Sequence, residues 1–209
     1  MSNNRFDTAA AEWDQKQRRV DLAAAIAAGI AALPLHREME ALEYGCGTGL
    51  VGLALAPHLG SLIAADSSPG MLATLSDKIA AQGITNVRPL LLDLLSGECP
   101  QRFDLIFSAM TLHHLADVDT ILGKLVHCLK PGGILALADL DSEDGSFHRD
   151  NPEGVMHHGF DRAQLAAALR GLGLGAVEAA TVHTMMKTVG PGEQRPFTVF
   201  LLTAHKDRT

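Results

Sequence analysis

Between Ala41 and Leu59 the chain reads ALEYGCGTGLVGLALAPHL, and its glycines fit two registers. Gly45, Gly47 and Gly49 spell GxGxG, while Gly47, Gly49 and Gly52 spell the GxGxxG of dinucleotide-binding turns. The two registers would cradle different cofactors. Asp66 follows at the spacing where a carboxylate takes ribose hydroxyls in either case, so it does not discriminate. Groups able to hold or deprotonate a substrate are His113 and His114, Asp139, and then His148, His157 and His158. Histidine titrates near neutrality, and a positioned base contributes roughly 10²–10⁴-fold. Blander roles compete with each: shielding for the His113–His114 pair, plain solvation for the three later histidines. A metal set of Asp141, Asp144, His148 and His157 has no recognised ligand spacing, so no metal is expected. Cys46, Cys99 and Cys128 are scattered, odd in number and without CxxC spacing, and are expected as reduced thiols.

The elements that must position these groups alternate. Ala41–Tyr44, Ser61–Ala65, Val87–Leu92, Asp104–Phe107 and Ile134–Ala138 read as strands; Leu50–Leu59, Pro69–Gln82 and Val118–Leu129 read as helices. Strand–helix alternation of this length means βαβ units and a parallel sheet covered on both faces, an open doubly wound α/β domain. Ahead of them Ala9–Leu33 is expected as one amphipathic helix, with Leu22, Ile26, Ile30 and Leu33 on one stripe and Pro34 at its end. Ser68-Pro69 and Gly83 cap the Pro69–Gln82 helix. Pro89 cannot donate to a central ladder, which places the third strand at an edge. Residues 139–159 lack periodicity and read as a loop or lid. Asp161 to Gln164 form a capping box opening a helix to about Leu172, with Phe160 and Leu165 placed as the staple. Ala176–Met186 and Phe197–Ala204, joined by a turn-rich link too short for a crossover, should pair antiparallel.

The strand ending at Tyr44 decides between the glycine registers. A cofactor turn starts where the first strand stops, so Gly45 is the first position and GxGxG the working register. Gly52 is then explained by close packing of the following helix on the sheet.

Length and composition set the outer limits. With 209 residues, one domain over 1–209 is expected, with 1–35 as a helical cap and 139–160 as a substrate-side lid. A net charge of -7 and no dense basic cluster argue against nucleic acid. No apolar run reaches the ~18 residues of a membrane span, and the polar N-terminus lacks a secretory core, so a cytoplasmic protein with a small-molecule partner is expected.

The segments LEYGCGTGL, AADSSPGML, LLLDLL, FDLIFSAMTLHHL and LKPGGILALAD, in this order and spacing, closely resemble the class I S-adenosylmethionine-dependent methyltransferases. The resemblance covers nearly the whole chain, and its nearest flavour is the small-molecule branch related to quinone biosynthesis. It implies a Rossmann-like sheet ordered 3-2-1-4-5-7-6 with strand seven antiparallel, and transfer of a methyl group from S-adenosylmethionine. It also implies the site. Glu43, Gly45, Cys46, Gly47 and Gly49 would surround the methionine portion, and Asp66 with Ser67 the ribose. Met71 would pack on adenine, Asp93 and Leu94 would read its edge, and Ser108, Ala109 and Met110 would floor the sulfonium site. Relatives usually carry Asp where this chain has Glu43, one methylene longer. Trp13, in a segment that often folds over the cofactor in such proteins, would wall the substrate pocket. His113 and His114 are the candidate catalytic pair. Two other classes stay open: a cofactor-binding sensor or partner module of the same fold without turnover, and a nicotinamide-dependent oxidoreductase, which needs the second register.

Overall fold

A computed structural model describes residues 4–190 and 192–208. Seven strands form one sheet: β1 (Glu40–Tyr44), β2 (Ser61–Asp66), β3 (Val87–Leu91), β4 (Phe103–Ala109), β5 (Leu129–Leu140), β6 (Leu174–Gly190) and β7 (Glu193–Lys206). Their order is β3-β2-β1-β4-β5-β7-β6. β1 to β5 run parallel, and β7 lies antiparallel to both β5 and β6. This is the Rossmann-like architecture expected from the sequence, with Pro89 on the outermost strand.

Alternation along each strand builds the two cores. On β1, Ala41 faces one cluster and Leu42 the other; on β5, Ile134, Ala136 and Ala138 face the first, while Leu135 and Leu137 face the second. α2 (Gln17–Ala31), α3 (Leu50–Leu55) and α4 (Pro69–Gln82) close the first face through Ile26, Ile30, Leu55 and Leu75. α5 (Val118–Cys128) and α6 (Arg162–Gly171) close the second through Ile121, Leu125 and Leu169. Burying both faces is what a parallel sheet requires.

Four local expectations are corrected. The N-terminal stretch is not one helix: α1 (Asn4–Ala9) and a 3₁₀ turn (Ala10–Gln15) precede α2, with Lys16 extended at φ -85 and ψ 100. The break lets Asp14 reach Thr48 and Lys78, contacts that helix propensity does not anticipate. The helix expected over Leu50–Leu59 ends as α3 at Leu55, where Pro57 enters a 3₁₀ turn. β5 starts at Leu129, through Lys130 to Gly133, and ends at Leu140, so Asp139 is a buried strand residue rather than the start of a loop. Cys99 and Cys128 are joined by a disulfide with Cα atoms 6.1 Å apart, within the usual span of such bonds, leaving Cys46 as the free thiol. Their separation of 29 residues carries no spacing signal; the bond follows from α5 ending beside the segment after β3.

Among the described residues no helix is long and apolar enough to cross a membrane.

Candidate active site

Gly45, Gly47 and Gly49 all have positive φ, 76, 52 and 79, the region where only glycine is free of strain. Gly45 and Cys46 donate their N–H groups to Ala65 O, and Gly47 donates to Asp66 Oδ2 at 2.7 Å, so the turn is sewn to the end of β2. A Cβ on Gly45 would lie 2.3 Å from the Thr111 side chain. Gly52 is different. It is helical with no positive φ, and a Cβ there would come within 2.1 Å of Glu43 Oε2 and 2.9 Å of Leu62 Cδ2. The turn is therefore Gly45-x-Gly47-x-Gly49, and Gly52 clears space for a carboxylate.

That carboxylate is Glu43, only 2% exposed on β1. Its Oε2 is buried without a hydrogen-bond partner. Burial first, then the nearby charge of Asp66, push its pKa up to about 8. Asp66, at the tip of β2, also accepts from Ser68 N at 2.9 Å. Burial raises its pKa, and main-chain N–H groups of Ser68, Gly47 and Ser67 oppose the rise. Ser68 caps α4 by accepting from Met71 N, and the Met71 side chain is buried beneath Gly47. Across the turn, Ser108 donates to Tyr44 O at 2.7 Å, and Ala109 leads to Met110, held at φ 55 with its N–H on Ala138 O. A non-glycine residue in that region is strained, and such strain collects at functional sites.

On the other side of β4 sits a buried polar pair. His113, in the 3₁₀ turn Leu112–His114, places Nδ1 2.7 Å from Asp139 Oδ1 on β5. The same carboxylate accepts from the N–H groups of Leu140 and His113. His114 Nδ1 lies 2.8 Å from Gly154 O, and its ring is 4.0 Å from that of His113. Burial, with His113 beside it, lowers the His114 pKa to about 4. His148, in the 3₁₀ turn Ser146–His148, stacks 4.9 Å from His113; burial and the neighbouring histidines lower its pKa to about 3. Both imidazoles are neutral at pH 7.

Residues 41–133 match the family described as a methyltransferase domain. An uncharacterized methyltransferase of Schizosaccharomyces pombe is 33% identical over 135 residues, 58% of this chain and 48% of that protein. Over residues 41–133 the chain is thus similar to methyltransferase domains. A trans-aconitate 2-methyltransferase of Deinococcus radiodurans is 34% identical to it over 141 residues, 65% of this chain and 52% of that protein. The chain thus spans about half the length of these curated relatives. The crystal structure of the YcgJ protein from Bacillus subtilis matches the fold with a TM-score of 0.74 at 17% identity, over 89% of this chain and 99% of that one.

The other sequence-derived candidates fall in three places. Asp93 and Leu94 follow β3; Asp93 is exposed and accepts from Leu95 N, whereas Leu94 is buried. Trp13 is half-buried beneath the Arg19 guanidinium, 3.6 Å above its ring, and touches Phe6, which meets His114 edge-on at 5.1 Å. His157 donates to Leu115 O, and its N–H goes to His113 O, so it docks the loop rather than joining the cluster. His158 is exposed and lies toward Glu143. Asp141 pairs with Arg162 and Asp144 with Arg195, so the four residues weighed for a metal are dispersed.

Sequence reasoning missed the clasp that holds the N-terminal segment down. Asp7 accepts from Ser68 Oγ and Gly70 N; Asp14 accepts from Thr48 Oγ1 and from Lys78, which also reaches Thr48 O. The signal was Asp7 and Asp14, two of the three acids in the mixed-polarity segment 4–15.

Proposed function

We propose that this chain transfers a methyl group from S-adenosylmethionine to a small-molecule acceptor. The observation that carries it is the buried, unpartnered Oε2 of Glu43 beside a turn of three positive-φ glycines. With its pKa raised to about 8, the group is mainly the neutral acid at pH 7, and the ammonium of an amino-acid moiety would draw it into the ionised form. Glu43 and Gly45 to Gly49 would hold that portion. Asp66 accepts from the main-chain N–H groups of Gly47, Ser68 and Ser67, which fix the carboxylate that would take a ribose diol. Met71 would pack on adenine, Asp93 and Leu94 would take its edge, and Ser67 would lie beside the ribose. When bound, the cofactor supplies an electrophilic methyl on a sulfonium and leaves as S-adenosylhomocysteine.

The domain's remaining task is alignment. Ser108, Ala109 and Met110 would fix the floor, and the segment around Trp13 would close the roof, so that an acceptor atom stands in line. Positioning of this kind contributes roughly 7–11 kcal/mol. His113, held by Asp139, and His114 face the acceptor side as groups that polarise or deprotonate it. Cytoplasmic residence belongs to the same reading and meets one opposing observation, the Cys99–Cys128 bond, because disulfides are rare in that compartment.

The test is incubation of pure protein with S-adenosylmethionine and a panel of hydroxyl, amine, thiol and carboxylate acceptors, assayed for S-adenosylhomocysteine. Product with at least one acceptor supports the reading. Tight binding without turnover favours the sensor module, and absence of binding overturns both.

A further inference from the structure

The histidine cluster has a property that acceptor polarisation alone does not use. One ring nitrogen from each of His113, His114 and His148 falls within 4.8 Å of the other two. Ring centroids are 4.0 Å apart for His113 and His114, 4.9 Å for His113 and His148, and 5.8 Å for His114 and His148. The Nδ1 atoms of His113 and His114 are engaged by a carboxylate and a main-chain carbonyl, Asp139 and Gly154. Both partners only accept, so both Nδ1 atoms carry the hydrogen, and Nε2 is the ring nitrogen left for a ligand. His148 adds a buried Nδ1 that has no hydrogen-bond partner. Three imidazole rings thus come together, one ring nitrogen from each. One proton would satisfy a single ring; a cation satisfies all three.

We propose that His113, His114 and His148 bind one divalent transition-metal ion of the zinc or cobalt class. The donor set suits it: three imidazoles with the fourth position open is a common arrangement for zinc when it acts on a substrate. The support behind the donors suits it too. Asp139 behind His113 forms the carboxylate–histidine pairing that fixes tautomer and ring orientation in metal sites and raises ligand basicity. Arg5 and Lys187 bring positive charge toward His148 and oppose a cation, so the negative Asp139 is needed as more than an orienting group.

Metal–nitrogen bonds of about 2.0–2.1 Å require the three nitrogens to draw together by roughly 1 Å. His148 is the one able to move, since it sits in a single 3₁₀ turn of the loop after β5, whereas His113 is fixed to Asp139. Ion binding would pull that loop onto the turn after β4. The open position would face water or an oxygen of the acceptor, and the ion would then polarise the acceptor in place of a free imidazole.

The site is tested without cofactor, so its failure leaves the methyl-transfer reading intact. The full chain is stripped with a chelator and titrated with Co²⁺, followed by visible absorption, and with Zn²⁺, followed by calorimetry. One ion per chain is expected, with the intense visible bands of four-coordinate cobalt. His148→Gln, in a loop turn and checked for folding by circular dichroism, should weaken binding at least tenfold. Asp139→Asn should weaken it about 10–100-fold, and His127→Gln, on the exposed face of α5, should not change it. Absence of one-to-one binding, or equal affinity in His148→Gln, overturns the proposal.

Discussion

Glu43 is the residue on which the cofactor reading turns, and its titration gives it a measurable signature. Folded, its pKa is about 8, against 4.5 for the free side chain. A raised pKa means the fold prefers the protonated form. The group's contribution to stability is therefore complete below about pH 4.5, falls as pH climbs toward 8, and is flat above. Glu43→Gln is neutral throughout and should remove this slope. Urea unfolding at pH 5 and pH 8 should show the wild type losing more stability than the variant over that interval, by an amount on the order of a few kcal/mol. Equal losses would contradict the burial of the Glu43 carboxyl. Cofactor binding should reverse the preference, because an ammonium partner favours the ionised form. Calorimetry at pH 7 in buffers of different ionisation enthalpy should then show a proton released on binding.

At the scale of elements, the strand tips and helix starts hold the site, and they differ in how far sequence reveals them. α4 runs from Pro69 to Gln82 as expected because its ends are chemical: Ser68 caps it and Gly83 leaves it at φ 63. The glycine register was legible because Tyr44 ends an apolar strand. The break at Lys16 was not, since alanine-rich sequence favours helix throughout and the competing force is tertiary, Asp14 drawn to Thr48 and Lys78. Nor could His148 be placed beside His113, because loop conformation is set by its contacts: Met156 and His157 donate to His113 O. α3 carries the clearest element-scale prediction. Gly52→Ala would drive a methyl into Glu43 and Leu62, and overpacking of this kind costs about 1–3 kcal/mol. The denaturation midpoint should fall accordingly; an unchanged midpoint would mean the helix does not lie as close to β1 as described.

The whole molecule is a doubly wound sheet, and Glu43, the Gly45–Gly49 turn, Asp66 and the turn after β4 lie at the carboxyl-terminal edge of its strands, where ligand sites in such sheets lie. Its second face is stapled by Cys99 and Cys128. Thiol titration of denatured, unreduced protein should count one free cysteine and, after reduction, three. Three before reduction would show the bond absent. The central claim is that this edge holds S-adenosylmethionine through the Gly45–Gly49 turn, Glu43 and Asp66. Calorimetric titration of the wild type, Asp66→Ala and Asp93→Ala with S-adenosylmethionine, with NAD as competitor, tests it most directly. Losing a hydrogen-bond acceptor that carries charge costs about 1.5–3 kcal/mol, so Asp66→Ala should bind at least tenfold more weakly, Asp93→Ala should lose less, and NAD should not compete. Unchanged affinity in Asp66→Ala, or displacement by NAD, would contradict the account.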